Sequence, residues 1–87
     1  MVWNDVRIAN PQQWVIIEAL DALTEGNKRI INEMTVVDTF QNDSKEALKK
    51  YVQLHKAFPN RELYVVHTSR PELDIEELLW TGVRTAR

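Results

Sequence analysis

Cysteine is absent from this chain of 87 residues, so neither a disulfide nor a thiolate zinc site can staple the fold, and a cysteine nucleophile is excluded. At this length one hydrophobic core works near the lower limit of what it can stabilise unaided. Glycine is scarce as well: only Gly26 and Gly82 occur, each placed where a turn is wanted, and no glycine-rich loop is available to cradle a phosphate. Neither sign of charge dominates, with 11 Lys and Arg against 13 Asp and Glu and a net charge of -2. Nucleic acid is therefore not expected as a partner, because phosphate binding depends on clustered cations. Long apolar runs are missing too. The opening residues, Met1-Val2-Trp3-Asn4-Asp5-Val6-Arg7, show no basic leader followed by an apolar stretch, so the expectation is a cytoplasmic protein without a membrane segment.

Hydrophobic residues make up 44% of the chain and charged residues 28%, a globular composition read as one domain over residues 1–87. No repeat or Gly/Ser linker divides it. The β-branched run Val15-Ile16-Ile17 favours a strand from Trp14 to about Leu20, because such side chains lose rotamer freedom in a helix. A competing reading makes residues 11–25 a helix, with Asn10 and Pro11 as N-cap and first turn and Gly26 as C-cap. The strand is preferred because Arg29 to Phe40 alternates as its antiparallel partner would, across a turn at Thr24-Glu25-Gly26-Asn27-Lys28.

Asp43 or Ser44 opens a helix, with Asp43 and Glu46 at capping-box spacing. Leu48, Tyr51, Leu54, His55 and Phe58 recur at three and four residues and predict the stripe that packs on the sheet, with Lys45, Lys49, Lys50 and Lys56 around the rest. Pro59-Asn60 ends it, and Glu62 to Thr68 reads as a third strand, parallel to the second and lying either beside it or on the far side of the first, with the order second-first-third preferred. Ser69 and Glu72 repeat the capping-box spacing and predict a short C-terminal helix carrying Ile75, Leu78 and Leu79, closed by Gly82. The fold class is thus α+β, ββαβα, a three-stranded sheet with one long helix on a face and a short C-terminal helix.

Asn10-Pro11-Gln12-Gln13-Trp14-Val15, Glu25 to Arg29, Arg61 to Arg70, Leu73 to Glu77 and Trp80-Thr81-Gly82-Val83-Arg84 together resemble a group of short, uncharacterised bacterial proteins that consist of this unit alone. The resemblance implies a bacterial cytoplasmic protein and carries over no catalytic residue.

The chemistry-bearing residues are few. His67, Ser69 and Arg70 fall at the predicted strand-to-helix corner, where free N–H groups and a guanidinium would suit a phosphate or carboxylate; plain capping by Ser69 explains the same residues. His55 and His67, with Asp38 or Glu62, do not reach the three or more convergent ligands that a metal needs, and no cofactor is expected. Asp74, Glu76 and Glu77 suit the first turn of a helix rather than acid-base work. The helix lysines read as a solvated face. Three tryptophans are many for this length, and Trp3 and Trp80 are assigned to the margin of an interface, with simple core filling by Trp14 and Trp80 as the competing account. No catalytic residue is assigned. The expectation is a non-enzymatic interaction module that forms a homodimer or docks on a bacterial protein; the alternative is an anion-binding or catalytic protein using the His67–Arg70 corner.

Overall fold

Two long strands, β1 (Trp14–Glu25) and β2 (Lys28–Thr39), pair antiparallel from Glu25↔Lys28 to Val15↔Thr39 across the loop Gly26-Asn27. Gly26 adopts φ 64°, a conformation glycine reaches without steric cost. The hairpin expected from the sequence is therefore present, with a tighter turn and a first strand extended past Leu20. A computed structural model of the protein describes residues 1–73 and 75–76, and structural statements refer to these. Register shifts between Ile16/Ile17 and around Asp21 mark bulges, which bend a strand and strengthen its twist. Beyond them the hairpin leaves the core: Leu20 and Leu23 are exposed.

The third strand, β3 (Leu63–His67), pairs antiparallel with β1 from Trp14↔His67 to Glu18↔Leu63, so it runs parallel to β2. The three substantial strands lie in the order β2-β1-β3, as the sequence predicts; a two-residue β4 (Ile75–Glu76) adds to the outer edge of β2 at Lys28 and Arg29. The helix expected to start at Ser69 is not found among the described residues. Residues 68–69 form a turn and Ile75–Glu76 a strand, while Leu78, Leu79, Trp80 and Gly82 lie outside the described residues.

Helices cover both faces, not one. An N-terminal helix α1 (Trp3–Ala9), unforeseen in the sequence, buries Trp3 and Val6 in a cluster with Val15, Ile17, Met34 and Val66. One turn separates Trp3 from Val6, and a helix this short holds only through such packing. Asp5 Oδ2 accepts from Val2 N (3.3 Å) at its start, and Asn10 Nδ2 donates to Val6 O (3.1 Å) at its end. Ile16, alternating with its neighbours, points to the opposite face and is fully buried. There α2 (Ser44–Ala57) packs on β1 and β3.

The α2 boundary is as expected, with Asp43 Oδ1 accepting from Glu46 N (3.1 Å), but its packed stripe is so only in part. Ala47 is buried and Tyr51 and Leu54 are half-buried, whereas Leu48 is 54% and Phe58 49% exposed. The sheet-facing line runs 47–51–54. Leu48 sits about 100° round the axis from it. Phe58 has left the helix altogether as its C-cap, at φ -134°. Large apolar side chains drew the stripe toward themselves in the sequence, and the small Ala47 let the helix approach the sheet instead.

Candidate functional site

The His67–Arg70 corner is assembled by hydrogen bonds, not by a helix N-terminus. Ser69 N donates to His67 Nδ1 (3.2 Å) and Ser69 Oγ lies 2.8 Å from the same nitrogen. Nδ1 is thus an acceptor, which leaves the ring proton on Nε2 to donate to Asn42 Oδ1 (3.2 Å). The His67 ring stands edge-on to Trp14 at 5.1 Å. On the other side of the chain Arg70 O accepts from Trp3 Nε1 (3.1 Å), Thr68 O from Arg7 Nε (3.0 Å), and Thr68 Oγ1 bridges Asn10 O (2.7 Å) and Gln13 N (3.0 Å).

These bonds dock α1 and the loop after it onto the end of β3. They also correct the reading of Trp3: at 8% exposure, with its indole N–H bonded, it is core, not an interface margin. Trp80 lies outside the described residues. Arg70 borders a cavity of about 370 Å³ together with Lys28, Pro71 and Glu72, while the His67 ring is turned toward Trp14 and Asn42. The sequence-predicted trio is contiguous, but histidine and arginine do not converge.

The two histidines do not meet over a carboxylate. His55 stacks on Tyr51 (5.8 Å between centroids), and Glu62 is engaged elsewhere. Arg29 donates to it twice, Nε to Oε2 and Nη2 to Oε1, each at 2.8 Å, and the Tyr64 hydroxyl donates to Oε2 at 2.6 Å. The Arg29 hydrogen bonds, with help from Tyr64, hold the Glu62 carboxyl below the usual carboxylate range. Burial and the bonded carboxylate push the Tyr64 phenol up to about 12. A second pair, Arg61 Nη2 to Glu18 Oε1 (2.7 Å), lowers Glu18 in the same way, and Arg61 also lies over the Phe58 ring. Both networks tie the chain before β3 to the hairpin. Sequence reasoning missed them, since only the strand register shows that these residues meet. No group of three His, Cys, Asp or Glu able to hold a metal occurs among the described residues.

The β3 edge offers a different kind of site. Thr68 N donates to Gln13 O and Ala19 N to Glu62 O (both 2.9 Å), so the even-numbered residues of this stretch bond to β1. Leu63, Val65 and His67 therefore turn their N–H and C=O groups outward. Among the described residues no strand lies beside them; β2's outer edge is occupied in part, by β4 at Lys28 and Arg29 and by Met1 O at Met34 N (2.9 Å). The His67 carbonyl accepts from Arg70 N (3.2 Å). Beside this edge stand exposed Leu48 and Val52 of α2. Their side of the helix is fixed by the opposite flank, where Glu46, Lys50 and Gln53 face Phe40, at the end of β2, across a cavity of about 210 Å³. The Leu48–Val52 flank thus looks toward β3.

No family model, curated protein or solved structure matches this chain.

Proposed function

We propose that this protein is a non-enzymatic interaction module, of bacterial and cytoplasmic origin as its sequence resemblance implies, which works by docking a protein strand on the β3 edge. The observation that carries this reading is the row of outward N–H and C=O groups on Leu63, Val65 and His67 beside the exposed Leu48 and Val52. An exposed edge is a template for strand addition, in which the main chain supplies affinity and neighbouring side chains supply selectivity. Hydrogen exchange at the Leu63 and Val65 amides tests it. Protection should rise with protein concentration or on addition of bacterial extract; amides that exchange freely under every such condition would refute the reading.

A second reading, anion binding at the His67–Arg70 corner, is supported by the position of Arg70 and Lys28 on one cavity. Glu72 on the same wall opposes it. Titration with inorganic phosphate decides: chemical-shift changes confined to residues 67–72 and Lys28 would favour this reading, and none would remove it.

A further inference from the structure

We infer that the occupant of the β3 edge is a second copy of this chain, paired antiparallel about a twofold axis through Val65; this rests on the edge-docking reading above. Closed twofold pairing of one strand with itself is necessarily antiparallel. Hydrogen-bonded pairs then form only between outward-facing residues. With Val65 opposite Val65 of the second copy, Leu63 falls opposite His67, and every outward N–H and C=O of the three residues meets a partner. The His67 carbonyl, already accepting from Arg70 N, uses its second lone pair. Any other register leaves outward groups of at least one residue unpaired.

The helix layer fits the same arrangement. α2 packs on both β3 and β1, so the two copies of α2 lie on one face of the joined sheet and run antiparallel. The flanks that then face each other carry Leu48 and Val52, 54% and 48% exposed. Lys45, Lys49 and Lys56 lie farther round, on the side away from the sheet, so their charge stays in water.

The test exploits the absence of cysteine. Hydrogen-bonded antiparallel partners sit about 5.5 Å apart at Cα, within the range a disulfide spans. Val65→Cys should therefore crosslink to the mass of two chains under mild oxidation. Leu63→Cys should not, because its own copy lies four strand positions away, roughly 13 Å. Val65→Pro, which removes an outward N–H and leaves the ladder to β1 intact, should keep the circular dichroism spectrum of the fold and reduce the wild-type mass in sedimentation equilibrium from two chains to one.

Wild-type hydrogen exchange supplies a readout that needs no variant: the Val65 amide should be protected in pure protein. A two-chain mass with no Val65→Cys crosslink and a freely exchanging Val65 amide would overturn the inference by placing the interface elsewhere. A one-chain mass at all concentrations would overturn it too. In that case protection of the same amides by added extract would still sustain the edge-docking reading, whereas its absence would end both.

Discussion

Arg29 and Glu62 face each other through two parallel hydrogen bonds of 2.8 Å, joining the start of β2 to the residue before β3 across the intervening β1. A fork of this kind fixes orientation as well as distance. Because Tyr64 donates into the same carboxylate, the triad locks the third strand against the hairpin. Its titration is therefore a report on whether the sheet is assembled.

The acid limb follows from sign. Glu62 and Glu18 have folded pKa values below their ordinary ones, so the native state binds fewer protons than the unfolded chain as pH falls through the carboxylate range. The stability they contribute is present above about pH 4.3 and is lost progressively below it. Urea midpoints measured from pH 7 down to 3 should fall, and Glu62→Gln should flatten that fall while lowering stability at pH 7. An unchanged slope in the variant would show that Arg29 does not stabilise the charged carboxylate.

The alkaline limb has the opposite origin. Tyr64, raised to about 12, stays neutral in the native state while the unfolded phenol ionises near 10, so stability should decline between about pH 10 and 12. Spectrophotometric titration in a Tyr51→Phe background should give one phenol near 12. Adding Glu62→Gln should move it down toward 10, since the charged acceptor is removed.

Much of this fold is written in short-range signals, and what is not has identifiable causes. Val15-Ile16-Ile17, the Gly26-Asn27 loop and the Asp43 cap each act within a few residues, so the hairpin, α2 and the order β2-β1-β3 follow from them. Helix α1 left no such trace, because Trp3 and Val6 span a single turn and periodicity needs several. Ser69 misled in a specific way: its spacing to Glu72 imitates a capping box, but its N–H and hydroxyl are both committed to His67 Nδ1. The edge site was not legible at all, since which residues of β3 turn outward depends on a register set by a partner strand more than forty positions away.

Correcting the α2 stripe changes what its mutations should do. Phe58, 49% exposed at the C-cap, loses little hydrophobic burial on truncation, so Phe58→Ala should cost about 1 kcal/mol, not the roughly 3 to 5 of a core aromatic. Ala47→Leu, in contrast, forces extra methylenes against the sheet and should cost about 1–3 kcal/mol. Chemical denaturation of both variants checks the assignment, and the reverse ranking would restore the stripe read from the sequence.

Trp3 should behave as a core residue with a polar tether. Truncation to alanine removes its contacts with Val6, Val15 and Met34 and should destabilise on the order of 3 kcal/mol. Trp3→Phe keeps most of the ring burial but abandons the bond to Arg70 O, for about 1 kcal/mol. If both variants unfolded with the wild-type midpoint, α1 would not be packed on the sheet.

Thr68 is where the end of β3, the loop after α1 and the start of β1 meet in one hydroxyl. The residue is 3% exposed, its hydroxyl donating to Asn10 O at 2.7 Å and accepting from Gln13 N at 3.0 Å in two part-buried bonds. Thr68→Val keeps the shape and the β-branched backbone preference but leaves a carbonyl and an amide unpaired. A buried group stripped of its partner costs about 1–3 kcal/mol, more than the net worth of the bond itself. The expected loss is about 2–3 kcal/mol in urea denaturation, with Thr68→Ser recovering a good part of it because the hydroxyl returns. Hydrogen exchange separates this from a simple packing defect: in Thr68→Val the Gln13 amide should lose its protection, while the amides of Ile16 and Ile17 keep theirs. A valine variant as stable as wild type, with Gln13 still protected, would mean that the loop after α1 is held by something other than this hydroxyl.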